Sequence, residues 1–158
     1  MYPHQDLTYR VIAAAIEVHK NLGPGLLEAV YFTCLSFELE DSGLYFEKEL
    51  GIALLYKDRI TNRFLRLNFL VENKIVLELK SVETVLPVHE AQLLTYLKLT
   101  GKQIGLLINF NVPLLKNGIH RRILGDVSNC SGQEKKLDYT EKTEPPRTQR
   151  GCANIVPL

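Results

Sequence analysis

Between Leu65 and Lys80 apolar residues alternate with a second set: Leu65, Leu67, Phe69 and Val71, then Ile75, Leu77 and Leu79, are interleaved with Arg66, Asn68, Leu70, Val76, Glu78 and Lys80. A period of two belongs to strands, so LRLNFLVENKIVLELK predicts two strands joined by a polar turn, with the first set facing inward. The turn decides the register. If Glu72, Asn73 and Lys74 form a three-residue turn with one residue in the left-handed region, Val71 faces Ile75 and Asn68 faces Glu78. A two-residue turn at Asn73 and Lys74 puts Asn68 and Glu78 on opposite faces. Asn73 tolerates positive φ and suits the longer turn. On spacing alone, Glu78 and Lys80 are most simply a solvated ion pair. Against that, Val76 and Val82 flank them with apolar side chains.

The other segments follow the period of a helix or of a buried strand. Asp6 is placed to cap a helix whose apolar side is Tyr9, Ile12, Ala13 and Ile16, widened by Val11, Ala15 and Val18, and which stops near Asn21. Gly23-Pro24-Gly25 breaks it, and a second helix is predicted over 26–41 with Leu27, Val30, Tyr31, Cys34, Leu35 and Leu39 inward and Gly43 as its stop. Glu28 lies in the first turn of that helix, where its carboxylate also suits the free amides of the helix end. Tyr45 to Tyr56 predicts a strand followed by a turn at Lys57-Asp58-Arg59. After the alternating hairpin, Pro87 opens a helix running to Thr100 with Gly101 as its stop, and His89, Gln92 and Tyr96 share one of its faces. Ile104 to Phe110 is a continuous apolar run of the kind found in a strand covered on both sides, and Gly118 to Leu124 adds a last strand or helical turn.

Composition narrows the picture. The 158 residues contain 46% hydrophobic side chains, enough for one core, and 19 Lys+Arg against 18 Asp+Glu leave a net charge of +1. No global basic field advertises nucleic acid, so any such binding has to rest on a local cleft. Cys34, Cys130 and Cys152 are odd in number and share no metal or redox spacing, which fits a reducing compartment. No apolar run is long enough to span a bilayer and the start, MYPHQDLTYR, lacks the order of a signal peptide, so the expected location is cytoplasmic, with no membrane partner. Nothing in the pattern specifies an oligomeric state. From Gly125 onward Ser, Gly, Glu, Lys, Thr and Pro dominate. The chain therefore divides into a domain over 1–124 and a polar tail over 125–158 expected to be disordered.

The order of elements predicts an α+β fold, a mixed β-sheet flanked by helices. An acid on one strand, a Glu-x-Lys on the next and a glutamate on a helix together suit a hard divalent cation such as Mg²⁺ or Mn²⁺, with the lysine orienting or deprotonating an attacking water. The run Gly25-Leu26-Leu27-Glu28-Ala29-Val30-Tyr31 resembles the signature of the GxxExxY protein family, small members of the PD-(D/E)XK nuclease-like superfamily. The likeness extends through HKNLGPGLLEAVY, RLNFLVENKIVLELKSVE, HEAQLLTYLKLTG and GLLINF, from about Asp6 to Leu124.

That resemblance implies a restriction-endonuclease-like core and metal-dependent cleavage of nucleic acid. It makes Glu78 a metal ligand, Glu28 the helix acid that binds or supports the metal, and Lys80 the water-activating residue. Gln92 and Tyr96 become a QxxxY motif lining the site and meeting the phosphate backbone, with His89 on the same face. Asn68 stands where the family pattern has the aspartate of its PD motif. An amide keeps the carbonyl oxygen and loses the charge, so the implied activity is weakened or absent. The alternative is a catalytically inactive module that binds nucleic acid or a protein partner, or that regulates without touching nucleic acid.

Overall fold

Residues 4–125 are described by a computed structural model. The order is α1 (Gln5–Leu22), α2 (Glu28–Asp41), β1 (Phe46–Tyr56), β2 (Arg59–Val71), β3 (Ile75–Lys80), α3 (Pro87–Thr100), β4 (Ile104–Asn109), a 3₁₀ turn at Leu115–Gly118 and β5 (Ile119–Ile123). The strands form one sheet in the order β1-β2-β3-β4-β5, antiparallel except for the β3–β4 pair. Parallel neighbours need a crossover, and α3 supplies it. The architecture is α+β, a mixed five-stranded sheet with three helices, in keeping with a restriction-endonuclease-like core. The polar tail expected over 125–158, with Cys130 and Cys152, lies outside the described residues except for Gly125.

Each face of the sheet has its own core. Val11, Ala14, Ala15 and Val18 of α1 and Tyr31, Leu35 and Leu39 of α2 pack on Phe69, Val71, Ile75, Leu77, Leu79, Ile104, Leu106 and Ile108. On the other face Leu93, Tyr96 and Leu97 of α3 cover Leu67, Leu70, Val76 and Leu107. A strand pair covered on both sides has little room for polar side chains, and every residue of β4 is buried. Gly105 is needed there, because a Cβ would sit 2.8 Å from Leu93 Cδ1.

The hairpin takes the longer turn. Val71 pairs with Ile75 and Phe69 with Leu77, and Lys74 N–H donates to Val71 O at 2.9 Å. Both Glu72 and Asn73 have positive φ, so two left-handed residues make the turn where one was expected. The β1–β2 turn is tighter than predicted: Lys57 and Asp58 adopt positive φ and Arg59 already pairs with Tyr56. Two mirror-image turn residues match the right-handed twist of the strands.

Several predicted inward faces are corrected. Tyr9 and Ala13 are exposed, and the buried stripe of α1 runs through Thr8, Val11, Ala14, Ala15 and Val18. Asp6 makes no capping bond; it lies in the first turn, the N-cap is His4, and Thr8 Oγ1 donates to His4 O. Helix α2 starts at Glu28, and Leu27, 77% exposed, precedes it as the N-cap. Val30 is also exposed, because α2 turns Tyr31, Leu35 and Leu39 toward α1 and the sheet. Leu65 and Leu67 do not share a core with Phe69 and Val71. They pack on the α3 side, so the alternation changes face at Asn68.

Candidate active site

The main-chain ladder between β2 and β3 stops at Phe69 and Leu77. Asn68 then replaces a backbone carbonyl with its own: Oδ1 accepts the Leu79 N–H at 2.6 Å. The residue opposite in this register, Glu78, points to the α3 face of β3 with Lys80, since Ile75, Leu77 and Leu79 occupy the other face. Glu78 is only 3% exposed. Lys80 Nζ donates to its Oε1 at 3.0 Å, whereas Oε2 is buried without a hydrogen-bond partner. An orphaned carboxylate oxygen inside a fold costs free energy unless something else meets it. The solvated ion pair suggested by spacing is therefore replaced by a buried one.

Burial pushes the Glu78 carboxyl above its usual range, against the opposing pull of the Lys80 ammonium and the Asn68 backbone amide, and the nearby negative charge of Glu28 adds to the rise. Glu28, half-buried at the start of α2, is likewise raised by burial and held back by Lys80 and His89. One lysine thus serves two carboxylates that come from different elements. The second acid reaches β3 through polar stitching. Ser81 Oγ donates to Leu26 O at 2.6 Å, and Tyr31 OH donates to Gly23 O at 2.6 Å while accepting the Leu26 N–H at 3.1 Å. Asn109, buried at the end of β4, fixes the segment after Lys80: Oδ1 accepts from Val82 N–H and Nδ2 donates to Val82 O.

Helix α3 forms the remaining wall. Its first turn is closed by His89, whose Nδ1 accepts the Leu86 N–H at 3.1 Å while its own N–H donates to Leu86 O. A neutral His89 bonded in this way carries its proton on Nε2. Gln92 Nε2 donates to Tyr96 OH at 2.8 Å, and that hydroxyl donates to Arg66 O at 2.8 Å. Burial, followed by the charge of Glu78, raises the Tyr96 phenol. The Gln-x-x-x-Tyr pair is thus built into the wall and fastens β2 to α3.

The structure brings Glu28, Glu78, Lys80 and His89 into one electrostatic cluster, with Gln92 and Tyr96 beside it and Asn68 at its β2 edge. Sequence reasoning left Tyr31, Ser81 and Asn109 without a role. The signal for Tyr31 was its place in the Gly25 to Tyr31 run; Ser81 and Asn109 bond to backbone atoms distant in sequence and leave no spacing to read. Among the described residues no group of three His, Cys, Asp or Glu side chains is arranged to hold a metal ion. Mg²⁺ commonly takes only one or two protein carboxylates and keeps several waters, so the two acids and the unpartnered Glu78 Oε2 fit such an ion as a sparse donor set.

A family model described as the PD-(D/E)XK nuclease superfamily matches residues 5–122. No match was found among curated proteins or among solved structures. No helix among the described residues is long and apolar enough to cross a membrane.

Proposed function

The chain belongs to the PD-(D/E)XK nuclease superfamily, and from that membership and the Glu28, Glu78 and Lys80 cluster we propose that it is a divalent-cation-dependent nuclease of the GxxExxY type with a weakened site. Glu78 and Glu28 hold Mg²⁺ or Mn²⁺ in this reading, and the partner is nucleic acid. The observation that carries it is the buried Glu78 carboxylate, bonded to Lys80 through one oxygen and without a hydrogen-bond partner on the other. A structural ion pair has no need of an unmet oxygen at such depth.

When bound, the cation would supply Lewis-acid polarisation of the phosphoryl oxygen and neutralise the charge that develops on it. Lys80 has three ammonium protons and spends one on Glu78, so two remain to orient water or hold the scissile phosphate. The oxygen of that water bonds to phosphorus as the ester P–O bond breaks, a carboxylate accepts the water's proton, and the departing alkoxide oxygen takes up a proton from solvent. Glu28, half-buried and open to solvent, is the acid suited to that task. Gln92 and Tyr96 fix the wall against which the backbone lies.

Asn68 limits the chemistry, because it is neutral and its Oδ1 already accepts the Leu79 N–H. That observation favours a second reading, in which the cleft binds nucleic acid without cutting it. Incubating the purified full chain with single- and double-stranded DNA and RNA in Mn²⁺ separates the two. Metal-dependent cleavage that falls by at least ~100-fold in Lys80→Ala supports the nuclease. Binding without cleavage supports the second reading, and cleavage unaffected by Lys80→Ala assigns the activity to another site.

A further inference from the structure

Beyond Asn68, β1 and β2 leave β3 and continue as a two-stranded ribbon to the Tyr56 and Arg59 pair. Its inner face is accounted for: Leu50, Ile52, Leu65 and Leu67 pack in the core under α3. Its outer face is not. Ala53 pairs with Phe64 and Gly51 with Arg66, an unbroken stretch of ladder, so Phe64 and Arg66 stand two apart on the same side with only small residues opposite.

Phe64 is 62% exposed. Gly51 lies beside it without a side chain of its own: a Cβ built there would be 3.9 Å from Phe64 Cδ1. Arg66 is exposed, as are Lys57, Arg59 and Arg63, so the segment 56–66 carries four basic side chains against the single acid Asp58. Ion pairs join Lys20 to Glu17, Lys80 to Glu78, and Glu90 to His120 and Arg122; the ribbon arginines enter none of these. A chain with a net charge of +1 thus concentrates unpaired positive charge on one projecting element.

The root of that element is tied to the candidate site. Arg66 O accepts the Tyr96 hydroxyl, and Asn68 Oδ1 accepts the Leu79 N–H next to Glu78. We infer that the outer face of the ribbon is a nucleic-acid subsite, in which an unpaired base of a single strand stacks on Phe64 and Arg66 holds the adjoining phosphate. This rests on the nucleic-acid reading above and adds where the strand is held and what form it takes. An exposed aromatic side chain two residues from an exposed arginine on one strand face matches a base and its phosphate, since stacking is indifferent to base identity and the charge meets the backbone.

Fluorescence anisotropy of the full chain with short labelled single strands of DNA and of RNA, and with the corresponding duplexes, in EDTA, tests it. Expected are tighter binding of a single strand than of a duplex, a loss of roughly tenfold in Phe64→Ala, and retention in Phe64→Tyr. Arg66→Gln, which leaves the backbone contact to Tyr96 intact, should lower the slope of log K against log salt by about 0.7. Because Phe64 lies beside Gly51, circular dichroism accompanies Phe64→Ala, and Arg66→Gln stands as the independent variant. Wild-type binding that neither Phe64→Ala nor Arg66→Gln alters overturns the ribbon subsite and leaves the nucleic-acid reading standing. Wild type that binds none of the strands or duplexes overturns both. Self-association abolished by Phe64→Ala, with binding unchanged, assigns the face to a second copy of the chain and overturns the subsite.

Discussion

Glu78 shows what a buried carboxylate costs its fold. Burial raises its proton affinity, so between the ordinary carboxylate value of 4.5 and its raised value the folded protein holds a proton that the unfolded chain has released. Stability therefore declines as pH climbs through that window, and the full penalty persists above it. Glu78→Gln keeps the shape and removes the titration. Its thermal midpoint is expected to exceed that of wild type at pH 8, with the gap closing below the ordinary carboxylate range, where both side chains are neutral. A wild type as stable as Glu78→Gln at pH 8 would mean that the attraction of Lys80 outweighs the burial. Asn68 is the complementary case: the residue that deprives the site of a charge also continues the β2–β3 ladder through its side chain.

Elements decide whether the two acids meet, and the Gly23 to Leu27 connection brings Glu28 in. Tyr31 is fully buried, stacks on Phe110 with ring centroids 4.5 Å apart, and uses its hydroxyl to close that connection at both Gly23 and Leu26. Tyr31→Phe keeps the stacking and loses both bonds, so urea unfolding should show a loss of about 1–3 kcal/mol. Mn²⁺ affinity should fall with it as Glu28 loses its anchor; unchanged stability and affinity would show that the loop holds itself. Helix and strand identities were legible in the sequence because their periods are local, and Gly43, Gly101 and the Glu72-Asn73 turn announced their ends. Facing was less legible. Leu27, Val30 and Tyr9 have the spacing of core residues, but spacing does not say which flank a neighbour covers, and Leu67 changes sides at the level of Asn68, where Glu49 on the neighbouring strand has positive φ. Glu28, Glu78, Lys80, Gln92 and Tyr96 were recognisable as motif residues, whereas the stitching by Ser81 and Asn109 was not, since side-chain bonds to distant backbone carry no period.

At the scale of the molecule, a sheet covered on both faces leaves the edge of the α3 side, where β2 departs from β3, as the place for a buried acid beside a lysine, and α2 delivers the second acid there. The proposed site has two carboxylates and one amide, which makes it a cation site present but undercharged. Calorimetric titration of Mn²⁺ into wild type and into Asn68→Asp tests it most directly. A carboxylate at 68 can keep the Leu79 N–H on one oxygen and offer the other, charged, to the ion. Wild type is expected to bind one Mn²⁺ weakly, and Asn68→Asp to bind it about tenfold or more tighter. Heats no greater than dilution in both proteins, or equal affinities, would contradict it.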